Sequence, residues 1–365
     1  MKILESGITL LPLLAMFVLL PVGTTVHADE FQEIGLLLEK GQDLYQRERY
    51  DDAIAVFDAI DKRFGTSKDA KIRERVASAL GFKSGALWNK GGKMTTWEKV
   101  DSARKAALAV LDEMVNRYGD DEDPAVRAVV ARALFEKGSI LSQIGQTQAA
   151  IAARDELDRR FGQDEKPVVR LMVIRELMDK ADRLIDESTA GGWTEDKFAP
   201  ALAIMAEIVR RFGTDRNTEV QEEVIEVLFR KALLLRAQEE KTLVTKIVAI
   251  YDEIDQIYGR EEAAAIRMQV AMALRTKGLF LAQQKQPQAA LVALEEVDKR
   301  YAGDKPPVMR EQVAYALIEK GKVFLEQNQH RQALAAFDLV IERYKGEYGM
   351  SRAVDLAEFY RYGER

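Results

Sequence analysis

Residues Val130–Gly162 read VARALFEKGSILSQIGQTQAAIAARDELDRRFG. Apolar side chains fall every three or four positions, which is the period of a helix with one buried face. A lysine, Lys137, leads the stretch, and an aromatic, Phe161, closes it. The same frame recurs seven times, led by Lys40, Lys83, Lys137, Lys180, Lys231, Lys277 and Lys320, at spacings of 43, 54, 43, 51, 46 and 43 residues. The closing aromatics Phe64, Tyr118, Phe161, Phe212, Tyr258, Tyr301 and Tyr344 are spaced 54, 43, 51, 46, 43 and 43 residues apart, the first six each 19 residues before the next lysine, so the register recovers after every insertion. A fixed period in this range predicts stacked helical units.

The first unit shows the plan of each. Helix A carries Ile34, Leu37, Leu38, Gly41 and Leu44; Arg47 to Tyr50 form a polar turn; helix B carries Ala53, Ile54, Val56, Phe57, Ile60 and Phe64. Gly65 is read as the glycine stop of helix B. With Leu134, Gly138, Leu141, Gly145 and Ala150 in the third unit, Gly278, Leu281 and Ala290 in the sixth, and Gly321, Phe324 and Ala333 in the seventh, the pattern resembles the tetratricopeptide repeat. Small residues would let helices A and B approach; large ones would fill the gap between hairpins. The resemblance covers about residues 31–344. It implies an all-α fold: a right-handed α-solenoid of seven helical hairpins with a C-terminal capping helix.

Two features depart from that family. The shortest spacing is 43 residues, against about 34 in the family. The nine extra precede helix A, where Pro124, Pro167 and Pro307 suit a helix first turn. They predict a helix A longer by about two and a half turns. The second departure is the lysine, which stands where the family carries an aliphatic residue.

The boundaries that follow are a signal segment over 1–28 and repeats over 29–65, 66–119, 120–162, 163–213, 214–259, 260–302 and 303–344. A cap over 345–365 carries Ala353, Leu356, Ala357, Phe359 and Tyr360. Excess residues around Trp88–Trp97, around Ser188–Trp193 and near Gln238–Lys241 are read as loops because of their glycine pairs and hydroxyls.

The chain has 365 residues and a formal charge of −6, an acidic balance that argues against nucleic-acid binding. Lys2, the apolar run Ile8–Val22 and the Val26-His27-Ala28 ending resemble a secretory signal cut before Asp29. An exported protein is expected, periplasmic or secreted. After that segment no stretch is long and apolar enough to span a bilayer. Absence of cysteine excludes disulfides and thiolate metal sites.

Chemistry has few candidates. One histidine, His330, remains after the signal, in a polar turn. No nucleophile elbow, P-loop or zinc motif is present, so no catalytic, cofactor or metal residue is expected. The seven lysines could line a groove for an anionic partner. Alternatively, they could pair with acids at a matching place on helix B: Asp58, Asp112, Asp155, Asp252, Glu295 and Asp338, with Ala206 the exception. The second reading is preferred, because a lysine stem can lie on apolar surface while its head reaches an acid. Arg73, Arg127, Arg170, Arg267 and Arg310 recur ten residues before their lysines, with Gln221 in the remaining place. They are expected to meet acids of the preceding helix B. Arg63, Arg117, Arg160, Arg211, Arg300 and Arg343 sit at helix ends that favour a cation.

Binding residues are therefore sought where repeats differ. Trp88, Trp97 and Trp193 lie in or beside the larger insertions, and tryptophan is a frequent interface anchor. The resemblance places the A helices on a concave, peptide-binding face. There Arg132, Phe135, Met178, Phe229 and Tyr315 would contact a protein or peptide partner. The expected function is a non-catalytic protein- or peptide-binding scaffold or adaptor of the bacterial envelope. The alternatives are a self-associating structural protein and a binder of glycans or small ligands through the tryptophans.

Overall fold

A computed structural model describes residues 22–189, 195–238 and 241–363. It divides at Ala153/Arg154 into two compact units. The first holds α1 (Val22–Gln46), α2 (Tyr50–Phe64), α3 (Ala70–Gly92), α4 (Trp97–Tyr118), α5 (Pro124–Gln143) and the start of α6 (Thr147–Phe161). The second holds the rest of α6, then α7 (Pro167–Thr189), α8 (Glu195–Phe212), α9 (Thr218–Arg236) and a 3-10 turn at Lys241–Leu243. There follow α10 (Val244–Tyr258), α11 (Ala264–Gln283), α12 (Pro287–Tyr301), α13 (Pro307–Glu326), α14 (His330–Tyr344) and α15 (Ser351–Tyr362). No strand occurs among the described residues. Odd-numbered helices are the A helices and stack on one another: α1 on α3 and α3 on α5 in the first unit, α7 on α9, α11 and α13 in sequence in the second. Each even-numbered helix from α8 to α14 packs against both the A helix before it and the A helix after it.

The long helix A is present. α5, α11 and α13 have 20 residues, whereas their partners α6, α12 and α14 have 15. Pro124, Pro167 and Pro307 open α5, α7 and α13. Asp123 caps α5 by accepting from the Ala125 and Val126 amides, and Asp69 caps α3 in the same way. Close A–B approach depends on glycine. A Cβ on Gly278 would lie 2.6 Å from Leu294, and one on Gly41 or Gly321 would enter the ring of Phe57 or Phe337.

The insertion at Trp88–Trp97 is helical rather than a loop. α3 runs on through Gly92, α4 starts at Trp97, and only residues 93–96 turn the chain. Gly91 is the reason: a Cβ there would lie 2.9 Å from the Ala103 Cβ. That glycine marks a tight crossing of two helices. α4 has 22 residues against 15 for α6, so it is about 10 Å longer at 1.5 Å per residue, and α3 runs nine residues past its lysine against six for α5.

The preferred reading of the lysines holds. Lys83 pairs with Asp58 at 2.6 Å, Lys137 with Asp112 at 2.5 Å, Lys180 with Asp155 at 3.5 Å, Lys320 with Glu295 at 3.7 Å, and Lys277 with Asp252. Each bond joins helix B of one repeat to helix A of the next. At the C-terminal end, Arg361 of α15 takes the lysine's part and meets Asp338. Tyr360 stacks on Phe337 (centroids 5.6 Å apart) as Phe82 stacks on Phe57 (5.9 Å). α15 therefore stands where the next helix A would stand. These pairs are partly exposed, so each contributes under about 1 kcal/mol; what they supply is register.

Four of the arginines ten residues upstream meet an acid other than those of the preceding helix B. Arg73 forks onto Asp121 at 2.7 and 3.0 Å and Arg170 onto Asp215 at 2.6 and 3.1 Å, while Arg267 donates from Nη2 to both oxygens of Asp304 at 2.8 and 2.7 Å. Arg310 meets Glu347. The acid lies three residues beyond the closing aromatic, in the linker after the arginine's own hairpin. Arg170 also donates to the Asp164 and Glu165 carbonyls at 2.8 and 2.7 Å, so it ties one linker to the next.

The arginines before the aromatics lie in last helical turns, as expected, and four of them also reach an aspartate of the preceding helix B. Arg117 meets Asp61, Arg211 meets Asp158 at 2.7 Å, Arg300 meets Asp255, and Arg343 meets Asp298. The repeat that lacks this arginine has Ile257, and the place of the aspartate one repeat earlier is Val209. Gly65 is not a left-handed stop, since its φ is −61°. A Cβ there would lie 3.2 Å from the Arg117 guanidinium.

Left-handed residues occur in the A–B turns instead. Glu48, Gly145, Lys285 and Asn328, each eight residues after its lysine, have φ of 61°, 76°, 58° and 57°. Only Gly145 adopts this without a Cβ penalty. Lys285→Gly is expected to raise stability by about 0.5–1 kcal/mol, and Gly145→Ala to lower it by about 1–2 kcal/mol. Urea melts of the two variants check both signs.

Candidate functional site

The expected contact residues on the A helices differ in exposure. Met178 is only 6% exposed and belongs to the core, so it offers nothing to a partner. It follows the apolar period of α7 inward. Phe135 is half-buried on α5, and Phe229 is half-buried against Tyr251 of α10, with centroids 6.2 Å apart. Arg132 is exposed and reaches Glu136 at 3.5 Å along its own helix. Burial raises the Glu136 carboxyl above its ordinary range, and Arg132 pulls it partly back. Tyr315 is half-buried with the Arg275 guanidinium 5.7 Å from its ring centre, and Arg275 donates to Gln312 at 2.9 Å.

Trp193 lies outside the described residues. Trp88 and Trp97 are brought together at the tip of the α3/α4 hairpin. Trp88 lies a turn before the end of α3 and is half-buried; Trp97 opens α4 and is 72% exposed. Arg104, two turns into α4, holds its guanidinium carbon 5.2 Å from the Trp88 ring centre and 5.6 Å from that of Trp97. The sequence reading did not single out Arg104. Its signal was the spacing of seven from Trp97, which puts both on one helix face.

The base of this tip is locked to the first hairpin. Asn89 donates to the Tyr45 hydroxyl at 2.7 Å, Lys90 meets Asp51, and Lys93 meets Glu48. Burial raises the Tyr45 phenol above its ordinary value, Tyr50 adds to the effect, and the bond from Asn89 opposes it. Lys105 is satisfied by Asp101 at 2.7 Å. Arg104 differs: among the described residues it has no carboxylate and no hydrogen-bond partner.

Among the described residues no group of three or more histidine, aspartate or glutamate side chains could hold a metal ion, and no helix is long and apolar enough to cross a membrane.

The chain matches no protein-family profile, and no curated protein matches its sequence. Solved structures with similar helical stacking include BtubC (BKLC) from P. vanneervenii, 13% identical, covering 70% of this chain and 94% of that one, with a TM-score of 0.38. The apo quorum sensor NprR from B. thuringiensis is 11% identical, covering 91% of this chain and 82% of that one, with a TM-score of 0.37. The P58(IPK) TPR domain is 10% identical, covering 89% and 97%, with a TM-score of 0.26. The chain resembles the tetratricopeptide repeat proteins in its repeats and in its all-α hairpin architecture.

Proposed function

We propose that the protein is a non-catalytic protein-binding scaffold or adaptor of the bacterial envelope, exported by a cleaved signal over 1–28. One observation carries the scaffold reading. The residues that recur from repeat to repeat are spent on neighbouring repeats, as Lys83 on Asp58 and Arg170 on Asp215, whereas the outward residues that differ are left free, Trp97 foremost. A rigid frame carrying variable exposed groups is suited to binding a partner with little ordering cost.

Export is supported by register. Helices α3, α5, α7, α11 and α13 begin 13 residues before their lysines. The same offset from Lys40 falls at His27, next to the expected cut before Asp29. Removal of the signal would leave helix A of the first repeat beginning near the common position.

Crosslinking in intact cells, followed by pull-down of the mature protein, tests the function. Partner proteins should be recovered with wild type and depleted with Trp88→Ala/Trp97→Ala. An empty pull-down would sink the adaptor reading. Mass measurement of the purified protein should give a chain beginning at Asp29; an intact Met1 would sink the cleavage.

A further inference from the structure

We infer that the Trp88–Arg104–Trp97 cluster at the tip of α3 and α4 is a receptor for a carboxylate-bearing peptide segment, with Arg104 holding the carboxylate and Trp97 stacking on an adjacent apolar or aromatic side chain. The inference rests on the reading of the chain as a protein-binding scaffold and assigns one of its contact sites.

The chemistry follows from which edge of Arg104 is used. Its guanidinium carbon lies 5.2 and 5.6 Å from the two indole centres. A guanidinium attracted by aromatic rings keeps all its N–H donors, none of which the ring contact neutralises. Those donors meet no described acceptor. Four other half-buried arginines are spent on acids: Arg73 on Asp121, Arg170 on Asp215, Arg267 on Asp304 and Arg117 on Asp61, while Arg75 lies over the single ring of Phe31. Arg104 is a half-buried cation left unneutralised in a chain of net charge −6. A planar fork of donors matches a carboxylate in two-point fashion. The flanking indoles exclude water and strengthen that bond.

Preorganisation is also present. Gly91 against Ala103 fixes the crossing of α3 and α4. Asn89 to Tyr45, Lys90 to Asp51 and Lys93 to Glu48 anchor the end of α3 to the neighbouring hairpin. The rings are therefore set before a ligand arrives. Trp97 at 72% exposure is large apolar surface that no part of its own unit covers.

The test is calorimetric titration of the full chain with two capped pentapeptides. One has a central phenylalanine flanked by two acidic residues on each side; the other replaces the four acids by their amides. Wild type should bind the acidic peptide and bind the amide peptide at least about tenfold more weakly, the usual worth of a charge-assisted bond. Arg104→Gln should lose about the same factor, and Trp97→Ala should lose about tenfold. Arg104→Lys keeps the charge without the fork; it should fall between wild type and Arg104→Gln and serves as the readout if Arg104→Gln melts early. Equal affinity for the two peptides, wild-type affinity in both Arg104 variants, or no binding by the wild-type chain overturns the assignment. A crosslinked partner whose contacts map elsewhere would leave the scaffold reading standing while this site fell.

Discussion

Glu176→Ala alone is expected to destabilise the second unit by about 3–5 kcal/mol, and Arg154→Leu/Glu176→Ala together to restore wild-type stability or exceed it. Arg154 on α6 and Glu176 on α7 form an ion pair with side chains only 8% and 3% exposed. Both stand at positions that are apolar in every other repeat. The place of Arg154 is held elsewhere by Phe57, Leu111, Met205, Tyr251, Leu294 and Phe337. The place of Glu176 on the later A helices is held by Val227, Ala273 and Ala316. Removing Glu176 leaves a guanidinium that cannot shed its charge, with only Asp179 nearby at 3.9 Å. Removing Arg154 leaves a carboxyl that can neutralise itself by protonation, so Arg154→Leu should cost less than Glu176→Ala below pH 7.

The pair also gives a pH dependence of known sign. Burial raises the Glu176 carboxyl to about 7, with Arg154 opposing, Asp179 adding to the rise and Arg183 opposing it. The folded value lies above the unfolded one. Its stabilisation is therefore fully present below about pH 4.3 and lost as pH rises through about 7. Wild type should lose up to about 3 kcal/mol from this group between pH 5 and pH 8, and the double variant should lack that slope. Urea melts at the two pH values, or hydrogen exchange along α6 and α7, report it. Parallel curves for wild type and double variant would refute the assignment to Glu176.

Gly321→Leu should be the most disruptive single change in the last hairpin, at about 3 kcal/mol. A Cβ at Gly321 enters the ring of Phe337. That ring is fully buried and cannot retreat, because Tyr360 of α15 stacks on its other side at 5.6 Å. Phe337→Ala alone should cost about 3–5 kcal/mol by leaving a cavity. Combined with Gly321→Leu it should cost clearly less than the two added, since the new side chain fills the space vacated. Additive losses would mean that the two residues do not share one space. A control of opposite sign is Gly81→Ala in the interior of α3. A Cβ there meets nothing within 4 Å, so only the helix-propensity gain remains, about 0.5–1 kcal/mol of stabilisation.

The lysine pairs were legible because partner and register both recur: each acid precedes its lysine by 25 residues. The linker arginines were half legible. Their recurrence was visible, but acids occur on both sides, and only the packing shows that Arg73 turns toward Asp121. The tryptophan insertion reads as a loop in one dimension because Gly91-Gly92 carries the composition of a turn. Glycine also allows two helices to touch, and a one-dimensional pattern does not separate those uses. Arg154 and Glu176 were visible as breaks in the apolar register, but each break alone looks like a solvated charge. Arg104 carried only its spacing of seven from Trp97, and its contact with Trp88, which lies on another helix, has no signature along the chain.

By itself, then, the sequence determined the repeat period, the helical hairpins, the long A helices and the lysine-to-acid register, because these depend on spacing along the chain and on contacts renewed in every repeat. The tertiary structure decided which arginine meets which acid, that a charged pair occupies one inter-repeat core position, and that two tryptophans and an unneutralised arginine share the tip of α3 and α4. Those features occur once or depend on direction. They arise when particular side chains from different helices are brought to the same place, which no periodicity encodes.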